Sequence, residues 1–127
     1  MGFDNLKAQT PRTKENTRVP EAAKDYGDRA LALSREAAET VRTVTDVEFG
    51  TEYYQKLDLY LPDEGMAQGV PVLLYFHGGA WQHGYKEWNG FMAPCFVNIP
   101  AIFVSASYRL VPDAKFPAPF EDALAAL

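Results

Sequence analysis

An α/β fold with a mixed sheet follows from three features of this 127-residue sequence. A period-2 segment, residues 43–61, reads as a β-hairpin. Two runs that are apolar throughout, "VPVLLYFH" (Val70–His77) and "AIFVSASY" (Ala101–Tyr108), read as sheet strands with a helical stretch between them. A helical period precedes the hairpin and another follows the last strand. Hairpin first, βαβ afterwards, makes the sheet mixed.

Residues 1–19 carry charges, Thr, Asn and Gln without periodicity and are expected to form a flexible N-terminal arm, leaving 20–127 as the folded domain. Pro20 suits the first turn of a helix. Tyr26, Ala30, Leu33, Ala37 and Val41 recur at spacings of three and four and define its expected apolar face. Gly27 costs about 1 kcal/mol relative to Ala, so a later start is expected. In the hairpin, Val44, Asp46 and Glu48 alternate with Thr45, Val47 and Phe49, and a turn is expected near Gly50-Thr51. Leu57, Leu59 and Leu61 then form one face, leaving Lys56, Asp58 and Tyr60 on an expected wet face. "PDEGMAQGVP" is a turn-rich loop. Trp88, Phe91, Met92, Cys95 and Phe96 share a helical stripe that Pro94 should kink or end. "RLVPDAKFPAP" is a loop. The closing helix, "FEDALAAL", has Phe120, Leu124 and Leu127 on one face and Glu121 and Asp122 in its first turn, where the helix dipole favours acids. It stops at Leu127 without a capping glycine, and the sequence is expected to be cut within the fold.

The formal net charge of −5 disfavours nucleic acid and anionic membrane surfaces as partners, because no basic stripe can replace phosphate counterions. The N-terminal residues contain no apolar signal segment, and Val70–Phe76 is too short to span a bilayer. Cys95 is the one cysteine, so no internal disulfide forms. A reducing, cytoplasmic setting is expected. Cys95 is read as a core cysteine, since its apolar neighbours Phe91, Met92, Pro94 and Phe96 would raise its pKa and leave it inert. His77 and His83 have no matching Cys or carboxylate cluster, so no metal site is expected. Glu87 is read as a helix-start acid. Tyr53, Tyr54, Trp88 and Phe91 are read as core or pocket wall.

The segment "HGGAW", His77–Trp81, follows the first apolar strand directly. Glycine lets a main chain curl so that successive N–H groups face a cleft. Such donors stabilise the oxyanion of ester or amide hydrolysis, each worth about 3 kcal/mol. The alternative is a tight strand-to-helix turn with no ligand. Arg109 has Asp113 and Asp122 as alternative partners, with a solvated side chain as the third option.

Three segments, "LDLYLP" (Leu57–Pro62), "HGGAW" and "SYRLVPDAKFPAPFEDALAAL" (Ser107–Leu127), together resemble the N-terminal part of α/β-hydrolases. The nearest groups are hormone-sensitive-lipase-like carboxylesterases and kynurenine-formamidase-like hydrolases, with the HGGxW form on the formamidase side. The resemblance covers roughly residues 44–127 and implies a partial α/β-hydrolase domain, truncated before the nucleophile elbow. It implies an oxyanion hole at Gly78, Gly79 and Ala80, with His77 ordering the loop and Trp81 walling the pocket. It also implies that Ala101–Tyr108 lies between the hairpin and the HGG-bearing strand, which becomes an exposed edge open to self-association. Nucleophile, acid and base are all missing: Ser34, Ser105 and Ser107 stand in no G-x-S-x-G elbow, and no histidine follows His83. The expected function is a serine-hydrolase fragment acting on small carboxylic esters or N-formyl amides, inactive alone and needing no cofactor. The alternative is a non-catalytic remnant or interaction module of the same fold.

Overall fold

Pro20 stands at the N-terminal boundary of the first helix among the described residues, α1, Glu21–Ala38. The computed structural model describes residues 19–66 and 69–127. The expected arm therefore lies, apart from Val19, outside the described residues. Gly27 does not delay α1. A Cβ there would stand 2.7 Å from the Trp88 ring, so glycine is what lets the indole approach the helix. The buried face is accordingly Gly27, Ala30, Leu31, Ser34, Ala37 and Ala38. The expected stripe was rotated by about one position: Ala30, Ala37 and Val41 are buried, whereas Tyr26 and Leu33 are exposed. Ser34 spends its hydroxyl on the Phe91 amide at 3.0 Å, a use that apolar periodicity cannot reveal.

Among the described residues the sheet has four strands in the order β1-β2-β4-β3. These are β1 Arg42–Glu48, β2 Lys56–Leu61, β3 Val72–Phe76 and β4 Ile102–Ala106. The β1–β2 and β2–β4 pairs are antiparallel and β3–β4 is parallel, as a hairpin followed by a crossover requires. A bulge between Val44 and Val47 shifts the register of β1. The left-handed residue Asp46, φ 56°, lies inside it. The expected order of the three C-terminal strands is found, with β3 at the edge. Its residues Val72 and Leu73 are exposed.

The crossover from β3 to β4 is a 3-10 helix, Lys86–Met92, then one turn of α-helix, α2, Ala93–Val97. Pro94 falls in the first turn of α2 and begins a helix where it was expected to end one. First-turn N–H groups have no intrahelical acceptor, so proline loses nothing there. Ala93 and Val97 turn inward, which leaves Cys95 exposed and not in the core. The last helix, α3, is Ala118–Ala125. It buries Ala118, Pro119 and Asp122, while Phe120, Leu124 and Leu127 face outward.

The face of β2 expected to be wet is the most deeply buried. Asp58 and Tyr60 have no exposed surface. Tyr60 and Phe103 pack with Ala38, Val41, Ala93 and Val97 beneath the helical layer. On the opposite face Leu57, Val104 and Ala106 are buried, but Leu59, Leu74 and Ile102 are only partly covered. Alternation identified the two faces; which one the helices cover depended on a cation, Lys86, from outside the hairpin.

Candidate functional site

The C-terminal end of β4 lies beside that of β3, and residues there grip the loop that leaves β3. Tyr108 Oη donates to the carbonyl of His77 at 2.5 Å, and the two rings stack with centroids 4.5 Å apart. Burial pushes the Tyr108 phenol up to about 12, so it remains a donor at neutral pH. His77 is buried and brings Nδ1 within 2.7 Å of its neighbour's carbonyl, that of Gly78.

From there the chain turns sharply. Gly79 has φ 129°, and a Cβ on it would lie 1.9 Å from the His83 carbonyl oxygen. Gly84, φ 96°, packs against His77 in the same way, with a Cβ position 2.6 Å from Nδ1. Ala80 and Trp81 follow with φ of 52° and 58°. Two consecutive non-glycine residues in the left-handed region carry strain of about 1–2 kcal/mol each. The surroundings hold them: the Gly79 carbonyl accepts from the amides of Gln82 and His83, and the Trp81 carbonyl from that of Val111.

Among the described residues, none of the hydrogen bonds uses the N–H of Gly78, Gly79 or Ala80 as donor. Gly78 and Ala80 are exposed, and nothing lies within 4 Å of a Cβ placed on Gly78. Glycine at 78 is therefore dictated neither by backbone sign nor by crowding within these residues. A cavity of about 630 Å³ opens at the loop, lined by Phe76, His77, Ala80, Trp81, Tyr108 and Phe120 among others. Its lining is mainly apolar, and Trp81 stands 65% exposed at its wall. Of the three residues Ala80 lines this cavity, and an N–H that donates to no other group can donate to an anionic oxygen there.

Two polar clusters support this region, and sequence reasoning found only part of one. Asp122 is fully buried and accepts from the Arg109 amide at 2.8 Å, from Arg109 Nη2 at 2.7 Å and from Gln55 Nε2 at 2.8 Å. Although burial acts to raise it, these donors hold its carboxyl below the usual range. Of the alternatives for Arg109, Asp122 is the partner; Asp113 instead accepts from Tyr54 Oη at 2.6 Å. Tyr54 is buried, whereas Tyr53 is exposed.

The second cluster was missed. Lys86 is fully buried, with Nζ 2.7 Å from Asp58, 2.9 Å from Glu87 and 3.0 Å from Asp46. Its amide donates to Ser107 Oγ at 3.1 Å, and its carbonyl accepts from Ser105 Oγ at 2.8 Å. Glu87 stands in the first turn of the 3-10 helix, as expected, and is also a member of this buried group. The available signal was Tyr60, a bulky aromatic beside Asp58 on a face otherwise read as wet.

Neither histidine meets a serine. Ser34, Ser105 and Ser107 are buried, and their hydroxyls are engaged with Phe91, Lys86 and Asn89. No group of His, Cys, Asp or Glu among the described residues is arranged to hold a metal ion. No helix among them is long and apolar enough to cross a membrane.

The BD-FAE family matches residues 57–127. The kynurenine formamidase of Danio rerio is 39% identical over 116 residues, which are 88% of this chain and 39% of that protein. A solved structure of EstE1, a thermophilic carboxylesterase cloned from a metagenomic library, superposes with a TM-score of 0.61 at 29% identity, over 84% of this chain and 36% of that one. A putative thioesterase from Silicibacter sp. TM1040 has a TM-score of 0.72 at 22% identity, over 99% of this chain and 45% of that one, and shares the fold. The chain spans about two fifths of the length of the kynurenine formamidases it matches.

Proposed function

The chain belongs to the BD-FAE family of α/β-hydrolases, and from that premise we propose that it supplies the oxyanion-binding part of a serine hydrolase for small carboxylic esters or N-formyl amides. Gly78, Gly79 and Ala80 offer their N–H groups to the oxygen of the tetrahedral intermediate. His77 orders the loop through its carbonyl and ring, and Trp81 walls the acyl or aryl pocket. The observation that carries the reading is the set of three successive N–H groups that donate in none of the hydrogen bonds described, the last of them, that of Ala80, belonging to a residue that lines an apolar cavity.

The attacking serine, its base and its acid come from polypeptide other than residues 1–127. Burial and engagement of Ser34, Ser105 and Ser107 support this, as does the turning of His77 Nδ1 toward a backbone carbonyl. The HGGAW segment and the Danio rerio relative favour an N-formyl amide as one substrate class. The lone, free Cys95 accords with a reducing cytoplasm.

The test is hydrolysis of p-nitrophenyl acetate and of an N-formyl anilide by the 127-residue chain and by the complete protein, each with and without a serine-directed phosphonate. Phosphonate-sensitive turnover by the complete protein alone is expected. Serine labelling of the short chain would overturn the placement of the nucleophile, and an unlabelled complete protein would overturn the hydrolase assignment.

A further inference from the structure

The buried lysine poses a question that stability does not answer. A buried ion pair is often no better than apolar residues of the same volume. Here one ammonium is surrounded by Asp58, Glu87 and Asp46, all within 3.0 Å. The bulge in β1 contributes to the same arrangement: the Asp46 amide donates to Asp58 Oδ1 at 2.9 Å. What such a cluster does provide is a single permitted position for residue 86 relative to β1 and β2. Ser105 and Ser107 fix the same residue to β4 through its backbone.

Residue 86 ends the loop that begins at His77. Between them the two arms are wedged together. Gly84 lies against the His77 ring and the Gly78 carbonyl, with a Cβ position 2.6 and 2.7 Å away from them. Gly79 lies against the His83 carbonyl. A displacement at Lys86 therefore has a short, packed route to the Gly78–Ala80 peptides, and the left-handed Ala80 and Trp81 would relax if the far anchor yielded.

We propose that Lys86 is a positioning residue: its ion pair with Asp58, supported by Glu87 and Asp46, fixes the far end of the loop against which the Gly78 carbonyl and Gly79 are packed, and through them the orientation of the Gly78, Gly79 and Ala80 N–H groups. It rests on the reading of those amides as the oxyanion hole.

The experiment compares Lys86→Met, Lys86→Arg and Asp58→Asn in the complete protein, with kcat and KM corrected for folded enzyme by phosphonate titration, and with hydrogen exchange of the 77–84 segment. For Lys86→Met, kcat falls about tenfold or more, part of the ~10²–10³ that loss of an oxyanion donor costs, while KM stays nearly constant. Lys86→Arg recovers part of the loss, and exchange in 77–84 quickens more than in β2 and β4. Unchanged kcat with unchanged local exchange overturns the proposal, as does a rise in KM alone. Should Lys86→Met fail to fold, Asp58→Asn is judged by the same two readouts. If the wild-type protein shows no serine-dependent turnover, the hydrolase reading fails by itself. Local exchange then decides the positioning role, unchanged rates overturning it and faster rates supporting it.

Discussion

Tyr108 holds His77 twice, by a 2.5 Å hydrogen bond from its phenol to the His77 carbonyl and by ring stacking at 16° between planes. The preceding residue, Ser107, accepts the amide of Lys86 at 3.1 Å. Successive residues at the end of β4 thus hold the two ends of one loop.

Replacing Tyr108 by Phe removes the hydrogen bond and keeps the ring. The His77 carbonyl loses this donor in a buried setting, at an expected cost of about 1–3 kcal/mol. Urea denaturation of wild type and Tyr108→Phe measures it. Superimposable unfolding midpoints would show that the phenol does not hold the loop.

Substitutions at adjacent glycines should have opposite outcomes. Gly79→Ala forces a methyl to within 1.9 Å of the His83 carbonyl oxygen at φ 129°, so the loop must rebuild. A stability loss of several kcal/mol is expected, above the ~1–3 kcal/mol of an ordinary point mutation. Gly78→Ala meets nothing within 4 Å and should leave the melting temperature within a few degrees of wild type. If Gly78 is glycine so that an anionic ligand can approach, Gly78→Ala slows turnover in the complete protein. Equal stability losses at the two positions would remove the distinction.

How far the sequence went is clearest in β2. Alternation separated Leu57 and Leu59 from Asp58 and Tyr60, because residue period follows directly from extended geometry. Charge then suggested the wrong solvent face, because the neutralising ammonium of Lys86 comes from a segment 28 residues away. The rotated face of α1 has a similar origin: Gly27 and Ser34 are buried for fit to Trp88 and for a bond to Phe91, and neither is apolar. The HGGAW loop was legible for the opposite reason. Its chemistry depends on local backbone permissiveness, which Gly78 and Gly79 announce. The cluster at Lys86 had no such local sign.

Burial pushes the Asp58 carboxyl up from 3.8 to about 6, and nearby Glu87 adds to the rise while Lys86 opposes it. Tyr60 and Asp46 also face this carboxyl. A folded-state value above the unfolded one means that the native protein binds the proton more tightly. The resulting stability is fully present below about 3.8 and is lost as pH rises through about 6. The loss is on the order of 2–3 kcal/mol at most, from about 1.4 kcal/mol per unit. Urea midpoints from pH 4 to 7 for wild type and Asp58→Asn give the test. The wild-type advantage should shrink across that range, and an advantage that grows would reverse the assigned sign.

The outer edge of β3 yields the last prediction. β3 terminates the sheet order, and Val72 is 61% exposed on it. A strand of this kind presents unpaired backbone donors and acceptors beside apolar side chains, a template for another strand. The 127-residue chain is therefore expected to associate with itself as concentration rises. Lysine is a common guard on natural edge strands because pairing would bring its charge against the neighbouring strand. Val72→Lys should shift the association to higher concentration with little effect on the buried residues of β4. Size-exclusion chromatography with light scattering over a hundredfold concentration series distinguishes the cases. A wild-type chain that stays monomeric and melts cooperatively throughout would show that this edge needs no partner.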